Sequence, residues 1–524
     1  MTPPAMSCMG KNAVIMGLLV AAGLQIGLLW GTDWPLGVPG EWVWARLELS
    51  TQWLLQIWPS LVVGVPLCLF VFLAGHRLQQ APPWALTLRL VLLWGFGTAW
   101  ILAAVAAAPA PADLSRIPFV LSYTRSSGYF TQAKQHAGDV AGFLQGYAAQ
   151  ISDSDDPENY LHLGTHPPGL TLALMGMLRL AESDPGLVQA ILDTRPAEVR
   201  IGQSEVRRMQ NQTPGPAAVT LADDAVMWSA SLLVSLLAAG ACVPVYLLSR
   251  RIASREAAWW GAALWLLVPS LAVFFPKSDV LFPCLTMWAQ WLWLLALERR
   301  NVWIGFLTGL VMCLALTLSL AFAPVALILT LQGLLQWGAS RGSDEPHAGR
   351  RLITLALAPV CALALWLLAW GVLGHMNLAG VWLQNLKNHA SFYSHHARTY
   401  VPWLLENPAE LACSLGLPLA LLSLGGLCVL LREWTRQAVW LLIPAGIWLL
   451  LWLSGKNMGE AARLWIFLMP YAAVWAAPAV QRLLGGRWGN VGLLLVMLLQ
   501  IGVCTATAMC IDGFGFTELE QLAK

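Results

Sequence analysis

A chain of 524 residues that is 58% hydrophobic and only 11% charged cannot clothe the surface of a water-soluble fold of this size, because soluble domains are roughly 25% Asp, Glu, Lys and Arg. Lipid must act as the solvent, and in lipid only helices or closed barrels satisfy the backbone. The formal net charge of +2, with no basic block of five or more, excludes a nucleic-acid partner.

Long apolar runs, rather than alternating ten-residue segments, predict an all-α, polytopic integral membrane protein with about thirteen transmembrane helices. In chain order the runs are 12–30, 53–74, 88–108, 225–248, 257–275, 280–297, 302–320, 323–337, 352–373, 411–431, 438–453, 464–480 and 490–510. The first follows Lys11 and lacks a small-x-small cleavage site before the 33–39 turn, so it reads as an anchor. Cys68, Cys242, Cys284, Cys313, Cys361 and Cys428 lie inside runs and read as small hydrophobes. The expected organisation is three N-terminal helices (1–108), a large loop with interfacial helices (109–224), a central helical block (225–373), a second loop (374–410) and C-terminal helices (411–524).

Lys and Arg set the expected orientation in a multi-pass cell membrane. Alternate loops carry Lys11, Arg77, Arg89, Arg250, Arg251, Arg255, Arg299, Arg300, Arg341, Arg350, Arg351, Arg432, Arg436, Arg482 and Arg487, whereas the short opposite loops hold only Arg46, Lys277, Lys387, Arg398, Lys456 and Arg463. This places the N-terminus in the cytoplasm and 109–224 outside. The apolar run 170–180, too short to span, is then interfacial or re-entrant.

The stretch 129–169 is the long polar passage of the chain. Tyr129, Ala133, His136, Val140, Phe143 and Tyr147 share one helical face, with Ser126 or Ser127 available to cap its start and Asp139 at the face's edge. Asp153, Asp155, Asp156 and Glu158 form an acidic loop, and Thr165-His166-Pro167-Pro168-Gly169 redirects the chain. Thr220 and Asp223 have capping-box spacing before the fourth span. Further on come a tight turn with Lys277 and Asp279, the loop 374–410 with His389, His395, His396 and Arg398, and a glycine-rich turn with Lys456, Glu460 and Arg463.

No predicted span has an ionisable residue at its middle, where ion-coupled transporters place theirs. The ionisable groups gather at helix ends on the outer side. That arrangement suits group transfer from a lipid-phosphate donor: a carboxylate accepts the acceptor's proton, and cations hold the departing phosphate.

Three passages carry a resemblance: 129–147 (Y-F-x-x-A…D-x-x-x-F-L-x-x-Y), His166-Pro167-Pro168-Gly169, and Gly459-Glu460-x-x-Arg463-Leu464-Trp465 running towards Pro470. With the overall plan, they resemble the GT-C superfamily of polytopic membrane glycosyltransferases, which includes protein O-mannosyltransferases and the aminoarabinose transferases of lipid A. The resemblance implies an early extracytoplasmic loop bearing a catalytic acid, a polyprenyl-phosphate-linked sugar as donor, and a glycan, lipid or protein as acceptor. The family's acidic pair before the Tyr-x-x-x-Ala helix is replaced here by Arg125-Ser126-Ser127-Gly128. Asp139 is therefore the expected base, with Lys277, Asp279, Arg398, Lys456, Glu460, Arg463, His162 and His166 as substrate and donor contacts. No motif demands a cofactor; the acidic run leaves room for a divalent metal. The alternatives are a lipid-linked glycan polymerase or ligase, and an uncoupled flippase of lipid-linked intermediates.

Overall fold

The computed structural model describes residues 8–76, 78–123, 127–153, 162–212, 219–341, 348–395, 397–484 and 489–515. The protein is an all-α polytopic membrane protein. By length and composition, ten of the described helices can cross a membrane, and the bent pair Tyr400–Leu415 and Leu417–Glu433 adds an eleventh. The other two expected spans come out short: Val302–Leu318 has 17 residues and Pro470–Leu483 has 14.

The helices Arg255–Leu266 and Pro470–Leu483 form the centre and are buried on nearly every side. Where they meet the residues are small: a Cβ on Gly261 would stand 3.0 Å from the Ala473 carbonyl oxygen and 3.7 Å from the Ala477 Cβ. Without a hydrophobic drive between helices in lipid, close backbone approach through small residues supplies the packing.

One interior polar network is built from amides and a phenol. Tyr471 Oη donates to Gln290 Oε1 at 2.7 Å, Gln290 Nε2 to Gln332 Oε1 at 2.9 Å, and Gln332 Nε2 to the Trp440 carbonyl at 2.8 Å. These bonds join four helices and leave no charge to relay, as expected of interhelical cross-links in lipid.

The expected straight span 411–431 is instead broken at Gly416 (φ +84°), and the flanking helices meet at 108°. Such a break exposes orphan backbone groups, which neighbouring side chains must satisfy. Gln25 Nε2 donates to Cys413 O at 2.8 Å while its Oε1 accepts from Leu417 N at 2.8 Å; Gln500 Nε2 donates to Leu415 O at 2.7 Å. The limb Tyr400–Leu415 thereby lies across the end of the bundle. Most of the expected loop 374–410 is thus helical, as Leu378–His395 and the start of Tyr400–Leu415.

Two short antiparallel pairings finish the fold. Gly37–Val38 pairs with Trp42–Val43 as a hairpin, and Ala45–Arg46 pairs with Ile511–Asp512, tying the start of the chain to its end.

Candidate active site

The loop between Pro83–Ala106 and Leu221–Gly240 is built of short helices that hold the His-Pro-Pro-Gly turn. The single amphipathic helix expected from residue 129 is two helices, Tyr129–His136 and Val140–Asp153. Gly128, left-handed at φ +75°, starts the first without a side-chain cap, so Ser127 does not cap it; Ser126 lies outside the described residues. Asp139 starts the second, its Oδ1 accepting from Gly142 N at 2.8 Å. An aspartate in that position is a good helix starter, which is why the period continues but the helix does not. The Thr220–Asp223 capping box forms as expected.

Prolines cannot donate backbone hydrogen bonds, so the turn at 164–168 needs outside donors. They come from Leu378–His395. Asn385 Nδ2 donates to Gly164 O at 2.8 Å and His166 O at 3.1 Å, and Asn388 Nδ2 to Gly164 O at 2.9 Å and Ile151 O at 2.8 Å. Tyr147 Oη also donates to His166 O, at 2.7 Å. Gly169 then runs so close to another helix that a Cβ would stand 2.4 Å from the Thr317 carbonyl oxygen. Gly169→Ala is expected to destabilise the protein by about 1–3 kcal/mol through overpacking. Thermal unfolding in detergent checks this, and an unchanged midpoint would show that the turn can shift freely.

Behind this turn the charges collect. Tyr129 is buried, with its ring edge-on to His166 at 5.7 Å between centroids. Its phenol is raised well above the usual value by burial, then by Asp279 and Tyr147, with Arg463 opposing. Lys277 is 2% exposed. Among the described residues, its ammonium has neither a hydrogen-bond nor an ion-pair partner. Burial, and next the like charge of Arg463, bring its pKa down to about 7, while Asp279 and Glu460 act in the other direction. Arg463 pairs with Glu460 through Nη2, but its Nε is buried without a hydrogen-bond partner. Glu460 holds a left-handed backbone at φ +52°, a conformation that costs about 1–3 kcal/mol in a non-glycine residue and clusters at functional sites. Asp279, half-buried at the head of Ser278–Leu281, accepts no side-chain hydrogen bond among the described residues.

Four of the expected contacts are thus linked electrostatically: Asp279 and Arg463 act on Tyr129, and Arg463, Asp279 and Glu460 act on Lys277. Lys277 does not reach out to headgroups but turns inward. Lys456 is exposed on the same turn as Glu460, and its charge, after burial, helps hold the His389 imidazole below its usual pKa. Arg398 is engaged elsewhere: it donates to the Glu41 carbonyl and lies over the Trp403 ring, 5.8 Å from the centroid. His166 is half-buried, with Nδ1 3.0 Å from Thr165 Oγ1, and His162 opens the 3-10 turn His162–Thr165. Asp139 is exposed and occupied with its cap. Asp155, Asp156 and Glu158 lie outside the described residues. Among the described residues no group of three or more His, Cys, Asp or Glu could hold a metal ion.

Sequence reasoning missed Asn385, Asn388, Asn407 and Glu410. The Asn-x-x-Asn spacing on a loop helix was the available signal for the first two.

No family model matches the chain, and no curated protein matches it. Among solved structures it is similar to the crystal structure of the Archaeoglobus fulgidus oligosaccharyltransferase in complex with Zn and sulfate, at 15% identity and a TM-score of 0.38. The match covers 71% of this chain and 49% of the archaeal one, so the chain spans about half the length of the structure it matches.

Proposed function

We propose that the protein is a membrane glycosyltransferase that moves a sugar from a polyprenyl-phosphate donor to an acceptor at the extracytoplasmic face, with its N-terminus in the cytoplasm. The observation behind this reading is Lys277, a residue only 2% exposed whose ammonium forms no ion pair among the described residues. An unpaired cation at such a depth is costly, and a bound anion would remove the cost. Arg463 Nε is a second buried donor awaiting an acceptor. Two cations at the loop end of a helical bundle suit a phosphate headgroup whose lipid tail stays in the bilayer.

In the proposed inverting displacement, a carboxylate takes the proton from the acceptor's nucleophilic atom. That atom forms the new bond at the anomeric carbon while the carbon–oxygen bond to phosphate breaks. Lys277 and Arg463 receive the negative charge on the departing phosphate, and such preorganised donors are worth about 100- to 1000-fold in rate each. We assign the base to Asp279 in place of Asp139, because Asp279 stands in the electrostatic field of Lys277, Tyr129 and Arg463 and its oxygens accept no hydrogen bond among the described residues.

The reading is tested by transfer of labelled sugar from a panel of polyprenyl-phosphate donors, with donor KM followed over pH. A lysine whose pKa is lowered to about 7 is charged below that value and neutral above it. Donor affinity is therefore highest below about pH 7 and falls as pH rises through 7, while Lys277→Arg removes this dependence. A donor KM that stays flat from about pH 6 to 9 in the wild type would remove Lys277 from the phosphate site.

A further inference from the structure

The helix Tyr400–Leu415 supports the turn carrying Glu460 and Arg463 with one face. Residues 400, 403, 407 and 410 recur at three- and four-residue steps, which line one side of a helix. Tyr400 Oη donates to Leu453 O at 2.7 Å and Asn407 Nδ2 to Asn457 O at 2.7 Å; Ala462 N donates to Glu410 Oε1 at 2.9 Å. Between these anchors the Trp403 ring lies under Gly459, where a Cβ would stand 3.2 Å from it. Gly459 (φ +87°) and Glu460 (φ +52°) are consecutive left-handed residues. The direction in which Glu460 meets Arg463 thus depends on the platform below them.

That platform is gripped from behind by the first hairpin. Trp403 Nε1 donates to Glu41 Oε2 at 2.7 Å, and Thr399 N donates to the same oxygen at 2.9 Å. Gly37 N donates to Glu406 Oε1 at 2.8 Å. An indole has one N–H, and a carboxylate acceptor makes that bond charge-assisted and roughly twice as strong as a neutral one. The Thr399 amide precedes the first turn of Tyr400–Leu415, where Thr399 itself supplies no side-chain cap; the carboxylate serves an orphan amide there. Hydrogen bonds from Thr399 are the main reason the Glu41 carboxyl is held below the usual carboxylate range, so it is charged at neutral pH.

We infer that Glu41 is a positioning residue for the proposed phosphate site, acting through Trp403 on the Gly459–Glu460 turn and so on Arg463. The inference rests on the reading of Lys277 and Arg463 as anion ligands, but its mechanical part stands independently. Among the described residues the Glu41 carboxylate bonds to Thr399 and Trp403 and to no member of the charged cluster, so its effect passes through one indole.

The test uses the full chain in lipid nanodiscs, comparing wild type with Glu41→Ala, Trp403→Phe, their double variant and Lys277→Met. Trp403→Phe removes the N–H but keeps a ring beneath Gly459, so it separates loss of the bond from loss of the platform. Hydrogen–deuterium exchange over 455–464 and binding of a polyprenyl monophosphate are read in parallel. Glu41→Ala, which leaves no side-chain acceptor, is expected to speed exchange in 455–464 and weaken binding, each about tenfold, with the helix Gly489–Cys510 unchanged. Trp403→Phe should shift both readouts in the same direction, and the double variant should be no worse than Glu41→Ala, because both cut the indole–carboxylate link. Lys277→Met should lose binding while keeping the wild-type exchange pattern. Unchanged exchange in Glu41→Ala, or faster exchange spread evenly over all helices, overturns the inference. If the wild type binds no polyprenyl monophosphate, the phosphate reading falls, and the exchange pattern alone decides the role of Glu41.

Discussion

Lys277→Met is expected to lower kcat/KM for a polyprenyl-phosphate donor by about 100-fold or more while raising the thermal stability of the protein. The two effects have one cause. The wild-type ammonium is 2% exposed and has no partner among the described residues. Its folded-state pKa of about 7, against 10.5 for the free side chain, means that folding opposes the charged form. The sign follows from linkage: the unfolded chain keeps the proton up to about pH 10, whereas the folded chain begins to release it near 7. The penalty is full below pH 7, shrinks as pH rises from 7, and is gone above the unfolded value. A methionine of similar length carries no charge to bury, so the variant should be more stable by about 1–4 kcal/mol at neutral pH. The difference should narrow in alkaline buffer. Thermal unfolding at two pH values, beside donor kinetics, reads both effects. A variant that loses activity and stability together would mean that Lys277 has a structural partner, and the anion-site reading would fail.

The sequence was informative about this cluster for a physical reason. In a chain with so few charges, each ionisable residue at a helix end stands out, and Lys277, Asp279, Glu460 and Arg463 could be named from sequence. Their electrostatic linkage could not, since it depends on how the Phe275–Asp279 turn and the 455–464 turn are placed relative to Tyr129. Arg398 shows the limit from the other side. By residue type it was an equal candidate, yet a glutamate more than 350 positions earlier takes its donor. The bend at Gly416 was hidden for a similar reason: the run 411–431 is apolar throughout its length, and what permits the break is Gln25 and Gln500 on distant helices. The break before Asp139 was hidden locally, because helical periodicity runs through it although the helix restarts there.

Asp279→Asn and Asp139→Asn should separate the two candidate bases cleanly. Asparagine keeps the oxygen that accepts from Gly142 N and is as good a helix starter as aspartate. Asp139→Asn should therefore leave turnover near wild type and shift stability by only ~0.5 kcal/mol. Asp279→Asn removes the proposed proton acceptor and should lower kcat by about 100- to 10,000-fold. It has a second signature that a merely disruptive change lacks. Asp279 is one of the groups that hold the Lys277 proton on, against burial and Arg463. Neutralising it lets the lysine deprotonate at still lower pH, so the alkaline rise in donor KM should begin below pH 7. Wild-type kcat in Asp279→Asn, alongside a collapse in Asp139→Asn, would return the base to the helix Val140–Asp153 and leave Asp279 as a tuner of Lys277. A collapse in Asp279→Asn with the KM profile displaced to acid would assign it both tasks: it would take the acceptor's proton and help keep charged the cation that receives the phosphate.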